Sequence, residues 1–177
     1  KRYMKPSGFR LMNLKILNSN EKKKLLDEIK KQYNIKKLDL DYIFLRNNDN
    51  KIFILSKDFA KLDVKNIRIN SLGLYFAKLH PDGIRLSIEG SQLIGPLAKN
   101  NIINIDDNEI KLWIRGNDLT TDKKFDSYVI IKHNDDYFGS GIYKDGKIRN
   151  MISKDRLIKK IEKLKLLYGY RQLERNQ

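Results

Sequence analysis

Tyr128-Val-Ile-Ile-Lys-His-Asn-Asp-Asp-Tyr-Phe-Gly-Ser-Gly-Ile-Tyr-Lys-Asp-Gly-Lys-Ile-Arg-Asn150 is the stretch whose reading decides the fold. Tyr128 to Lys132 is the most apolar strand pattern in the chain, and Asn134-Asp-Asp136 supplies turn residues behind it. Tyr137 to Tyr143 carries Gly139 and Gly141, two glycines two apart, which in a strand predict a bulge or a close backbone approach. Asp145-Gly146 is a tight-turn dipeptide, and Lys147 to Ile152 reads as the next strand. Three successive strand segments joined by short turns are expected here, in one sheet. In its last strand Lys147 and Arg149 share one face.

Upstream, Leu74 to Leu79, the turn His80-Pro-Asp-Gly83 and Ile84 to Ile88 form a hairpin pattern. Ser91 to Lys99 reads as helical or irregular, broken by Gly95 and Pro96. Ile102 to Ile105 is strand-like. Asp106 with Glu109 makes a capping box that opens a helix carrying Ile110, Trp113 and Ile114, and Gly116 ends it. Asp118 to Asp126 is polar and expected to be a loop.

The first 70 residues read as a small α+β unit. Phe9 to Leu17 alternates loosely as a strand. Asn18 and Glu21 form a capping box for a helix over 19–33, with Leu25, Leu26, Ile29 and Tyr33 at helical spacing and lysines on the other face. Tyr42 to Arg46 and Lys51 to Leu55 flank Asn47-Asn-Asp-Asn50 as a hairpin. A short helix over Lys57 to Leu62 and a strand at Ile67 to Ile69 complete the unit. At the other end, Lys154 to Tyr168 reads as a basic amphipathic helix with Leu157, Ile158, Ile161, Leu164 and Leu167 on its apolar face. The expected division is 1–70, 71–152 and 153–177.

The 177 residues carry a net charge of +15, with 37 basic and 22 acidic side chains. Residues 1–70 hold 18 basic and 8 acidic, 71–152 hold 11 of each, and 153–177 hold 8 and 3. A neutral middle between basic flanks points to a polyanionic partner such as RNA, DNA or an acidic membrane surface. A solubility charge is the bland alternative. There is no cysteine, which removes disulfides, Cys-based zinc sites and thiol catalysis. His80 and His133 have no partner at metal-ligand spacing. No apolar run approaches the ~18 residues a membrane span needs. The basic start is interrupted by Pro6, Gly8 and Arg10, unlike a signal peptide. Lys1 to Met4 are set aside in reading the fold. No catalytic residue, metal or cofactor is expected, and a cytoplasmic setting is.

Several motifs have competing readings. Gly139-Ser-Gly141 lacks the following helix and the Gly-Lys-Ser/Thr of a phosphate loop, which favours a bulge. Trp113 is either a base-stacking ring or, from its spacing to Ile110, a core residue. His133 beside Asp135 and Asp136 is a weak general-base candidate at a strand end. Asp106 and Asp107 read as capping residues rather than metal ligands.

Three pieces carry a family resemblance. Leu72 to Lys78 with Gly83 to Ser87 is similar to the opening hairpin of a PUA domain, the barrel found in pseudouridine synthases and archaeosine transglycosylases. Leu97 to Ile102 with Trp113 to Asn117 is similar to its middle, and Tyr128 to Lys132, Phe138 to Gly141 and Ile148 to Asn150 to its closing strands. The arrangement resembles the Nip-type ribosome biogenesis factor, which pairs an N-terminal α/β domain with a C-terminal PUA domain. It also resembles the RNA-binding C-terminal region of Sun-type RNA cytosine-5 methyltransferases, at Arg115-Gly116, Gly139-Ser-Gly141 and Arg149-Asn150. The catalytic domain of those methyltransferases has no counterpart in these residues, and it needs a cysteine.

The resemblance implies an α+β protein: a small α/β N-terminal domain, a PUA-like mixed β-barrel and a C-terminal basic helix. It implies non-catalytic binding of structured RNA, rRNA or tRNA, in ribosome assembly or on the ribosome. The alternatives are an RNA-presenting subunit of a modification enzyme and a protein-interaction adaptor docking through the terminal helix. Lys147, Arg149, Lys154 and Arg156 form a basic stripe suited to phosphate. Arg85, Gln92, Lys99 and Asn100 belong, by resemblance, to the other wall of a groove. Tyr143, with Tyr137, is a stacking candidate.

Overall fold

The computed structural model describes residues 14–58 and 73–158. Among them, two five-stranded sheets and three α-helices give an α+β architecture, with one sheet curled as a half-barrel. The first sheet runs in chain order through β1 (Lys15–Ile16), β2 (Tyr42–Arg46), β3 (Lys51–Ser56), β4 (Leu74–His80) and β5 (Gly83–Leu86). It is antiparallel throughout. The second has the order β6-β8-β9-β10-β7, built from β6 (Ile102–Asn104), β7 (Leu119–Thr120), β8 (Tyr128–His133), β9 (Asp136–Lys144) and β10 (Lys147–Arg149). β6 lies parallel to β8 and the other pairs are antiparallel.

Local chemistry sets the helices. Helix α1 (Ser19–Tyr33) has the capping box that Asn18 and Glu21 predict, and Asn34 closes it in the left-handed region at φ 50°. Its apolar stripe, Leu25, Ile29 and Tyr33, is buried against the first sheet together with Phe44, Ile52, Ile54, Phe76, Ile84 and Leu86. Helix α3 (Asp107–Trp113) has the second capping box, Asp106 with Glu109. With Ile110 and Trp113 it covers the other core, which holds Ile103, Val129, Ile131 and Ile148.

The two sheets meet at the free edge of β5. Ile84 N–H donates to Gln32 Oε1 (2.8 Å), and its carbonyl accepts from Gln32 Nε2 (2.9 Å) and Tyr33 OH (3.2 Å). Leu86 N–H donates to Ser140 Oγ (2.9 Å), which donates back to the Leu86 carbonyl (3.1 Å). Three side chains, two from α1 and one from β9, thus do what a neighbouring strand would do for backbone groups that are costly to bury unpaired. Ile130, on β8, packs into the core of the first sheet.

Gly139 and Gly141 both have physical reasons. Between Ile130↔Ser140 and Lys132↔Tyr137 the register shifts, leaving one extra residue on β9. Gly139 absorbs it at φ +83°. A Cβ on Gly141 would sit 2.7 Å from Ile148 Cγ2 and Trp113 Cη2, so that position is a close approach to β10 and the Trp113 ring.

Several expectations are corrected. The strand expected at Ile84 to Ile88 ends at Leu86, because Ser87 caps a helix: its Oγ accepts from Gly90 N–H. Helix α2 (Ile88–Ile94) therefore starts earlier than Ser91, and a 3-10 turn over Gly95–Leu97 follows it. The loop expected over 118–126 contains β7, which pairs with β10. The strand expected to reach Ile152 stops at Arg149, because Asn150 bends the chain by donating to the Trp113 (2.6 Å) and Asn117 (3.3 Å) carbonyls. The first residues of the expected terminal helix, Lys154 to Arg156, form a turn instead, and Ile158 N–H donates to the Ile114 carbonyl (3.0 Å). The hairpin Leu74–Leu86 pairs with β3 within the first sheet. Lys57 and Asp58 lie in a turn. The remainder of that expected helix, the strand at 67–69, most of the strand at 9–17 and residues 159–177 of the terminal helix lie outside the described residues.

Candidate nucleic-acid interface

The tight turn at Asp145-Gly146 places Lys144 directly opposite Lys147, with Thr120 on the next strand of the same row. The row behind it is Arg149, Ile142 and Tyr128. Cross-strand partners share a face, so three cations, Lys144, Lys147 and Arg149, project together from the end of the second sheet. All three are exposed, and Ile148 between two of them is fully buried. None has an ion-pair partner among the described residues. Like charges directly opposite one another on a sheet are destabilising, which makes Lys144 and Lys147 a poor choice for stability alone.

More cations join this end. Thr121 N–H donates to the Gly146 carbonyl (2.9 Å), which ties the following loop, with exposed Lys123 and Lys124, to the hairpin turn. Two carboxylates, Asp122 and Asp145, are interspersed. On the far side, Lys99 and Asn100 N–H both donate to the Tyr33 carbonyl (2.9 and 3.2 Å). Asn101 fixes the entry to β6: its side chain donates to the Gln32 carbonyl and accepts from Asp126 N–H, and its carbonyl accepts from Ile130 N–H. Lys99 and Asn100 are exposed. β6 is three strand spacings from β10 in the sheet order, about 15 Å.

The structure thus brings Lys99, Asn100, Tyr143, Lys147 and Arg149 to one end of the second sheet. Tyr143 is half-buried, edge-on to Phe125 at 5.6 Å, and its N–H donates to the Ser127 carbonyl. The remaining residues singled out in the sequence lie elsewhere. Arg85 donates to the Met151 carbonyl (3.1 Å) and to Tyr75 OH (3.0 Å). Arg156 pairs with Glu89. Burial alone would push the Glu89 carboxyl up, but the hydrogen bond from Arg156 and its charge outweigh that and hold it below its ordinary value. Lys154 is exposed in the same turn. Gln92, on α2, lines a separate pocket of about 510 Å³ with Tyr42, Leu74 and Glu89.

Other sequence candidates have internal roles. Trp113 is fully buried and its Nε1–H donates to the Phe138 carbonyl (2.8 Å), so it is a core residue. The Tyr137 ring packs against Gly95 and beneath Lys132. His133 is buried, with Nε2 2.8 Å from Asp107 Oδ1. Asp106 caps α3 through two backbone N–H groups, which hold its carboxyl low. Lys144 was missed in the sequence, although a two-residue turn at 145–146 implies that 144 faces 147. Among the described residues no group of three or more His, Asp or Glu could hold a metal, and no helix is long and apolar enough to cross a membrane.

No curated protein matches the chain. One family model does, that of the methyltransferase RsmF PUA domain, over residues 100–158, about a third of the chain. The matched stretch holds β6 to β10, α3 and the cationic hairpin, and it starts after the hairpin Leu74–Leu86, which the resemblance places in the barrel. The chain carries, at residues 100–158, a stretch similar to the RsmF PUA domain, and this supports its reading as a PUA-domain RNA-binding protein.

Proposed function

We propose that this protein binds structured RNA, rRNA or tRNA, without catalysing a reaction, and that the end of the second sheet is its contact surface. The observation that carries this is the Lys144–Lys147 row with Arg149 behind it, exposed and without carboxylate partners among the described residues. Phosphate oxygens would relieve the cross-strand repulsion and accept from the arginine fork. Lys99 and Asn100, about 15 Å across the sheet, would hold a second point of the same RNA and fix its orientation. Affinity from such contacts is salt-dependent, with a slope of about −0.7 per phosphate for single strands and −0.9 for duplexes.

A ribosome-assembly or ribosome-bound role in the cytoplasm is the setting we favour. It rests on the basic charge and on the arrangement of an α+β unit before the PUA-type stretch. A second reading has its own support: the matched domain is named for a methyltransferase, so this chain could present RNA to a modification enzyme. Binding of the full chain to folded rRNA and tRNA across salt concentrations, beside duplex DNA, tests the proposal. Lys147→Ala with Arg149→Ala should weaken RNA binding about 10- to 100-fold and reduce the slope by about 1.5. Equal, weak binding to RNA and DNA would overturn it. Weak binding with copurification of an RNA methyltransferase would favour the second reading.

A further inference from the structure

The outer face of the first sheet carries a second set of cations, in a region outside the family match. Lys51 on β3 is directly opposite Lys78 on β4, and Lys78 is directly opposite Arg85 on β5. Three cations therefore form one row across three adjacent strands. Each is half-exposed, while their neighbours Ile52, Ala77, Ile84 and Leu86 face the core. No ion pair joins any of the three to a carboxylate among the described residues. Two successive like-charge cross-strand pairs work against folding.

Next to the row lies an aromatic pair. Phe53 is opposite Tyr75, with ring centroids 5.6 Å apart at 47°. The pair and the cations are built together: Lys51 Nζ is 6.0 Å from the Tyr75 ring centroid, and Arg85 Nη2 donates to Tyr75 OH. Arg85 gives one donor to Tyr75 OH and one to the Met151 carbonyl, neither of them charged, so its charge stays uncompensated and its other N–H groups are left to donate. Asp155, in the turn that borders this face, is the carboxylate near Lys51. The field registers on His80, at the end of β4: burial first, then the charges of Arg85 and Lys78, push its imidazole below the ordinary value.

We propose that this face is a second nucleic-acid surface, which takes single-stranded RNA with phosphates on Lys51, Lys78 and Arg85 and a base against Phe53 and Tyr75. A cation row beside an aromatic platform is the combination single strands use, because every base has a π-face and every linkage a charge. A duplex hides its base faces and would use only the cations. The inference rests on the reading of the protein as an RNA binder, and it adds a strand-type preference and a site in the N-terminal sheet.

The test is binding of the full chain to a labelled unstructured RNA oligonucleotide and to an RNA duplex, at three salt concentrations. The variants are Lys51→Gln with Lys78→Gln, Phe53→Leu, and Lys147→Ala with Arg149→Ala, each checked by thermal melting. The Lys51/Lys78 pair should lower single-strand affinity and reduce the salt slope by about 1.4. Phe53→Leu should weaken single-strand binding about 5-fold or more and leave duplex binding unchanged. If single-strand binding falls only in the Lys147/Arg149 variant, the second surface does not exist and the RNA reading survives. If the unaltered protein binds neither RNA, both are overturned.

Discussion

The hairpin Tyr143–Arg149 holds three cations and the segment Asn150–Ile158 that follows it holds two, and they use them differently. On the hairpin, Lys144, Lys147 and Arg149 project without carboxylates to meet them among the described residues. In the segment, Asn150 bonds to the Trp113 and Asn117 carbonyls, Met151 accepts from Arg85, Arg156 pairs with Glu89 and Ile158 bonds to Ile114. This strap fastens α3 to β5 and α2. Charge count alone does not separate a binding surface from a fastening. The partners do.

Three substitutions would break or sharpen that contrast. Asn150→Ala removes the side-chain bonds to the Trp113 and Asn117 carbonyls at the root of the strap. It should cost about 2 kcal/mol in chemical denaturation while leaving the salt slope of RNA binding unchanged. A loss of RNA affinity with no loss of stability would make the strap part of the interface. Glu89→Gln should cost about 1 kcal/mol or less near neutral pH, as half-exposed ion pairs do. The folded carboxyl sits below its unfolded value of 4.5, so its contribution is present above pH 4.5 and is lost as pH falls through the folded value. The variant should show a shallower fall in melting temperature on the acid side. An identical fall would mean that the pair contributes nothing. Lys144→Glu has the smallest expected effect on stability and the most telling sign. It turns a repelling pair into an attracting one, so stability should rise by a few tenths of a kcal/mol while RNA affinity falls. Stability and affinity moving in the same direction would undo the assignment of the hairpin.

What the sequence made legible was local. Asn18 with Glu21 and Asp106 with Glu109 announce two helix starts, and both capping boxes form. Asp82-Gly83 and Asp145-Gly146 announce two hairpins. The glycines at 139 and 141 carry the bulge and the close approach. Helix α2 was misplaced because Ile84 to Ile88 alternates like a strand, and Ser87 has a glycine, not a glutamate, three residues on. β7 is two residues long and exists only by pairing with a strand 27 residues later. The fates of Arg85 and Arg156 depended on Met151 and Glu89, 66 and 67 residues away, and no local pattern encodes such a contact. The charged residues of the candidate site were therefore nameable, but which of them remained free was not.

The clasp of Gln32 and Ser140 on β5 has a consequence for how the molecule behaves among its own copies. An open strand edge is a template on which a second chain can crystallise its backbone, the first step toward fibrils or swapped dimers. Here the donors and acceptors of Ile84 and Leu86 are already spoken for by side chains of the same chain. The first sheet is thereby closed to growth at this edge without a further strand, and the protein is shielded at that point from polymerising on itself.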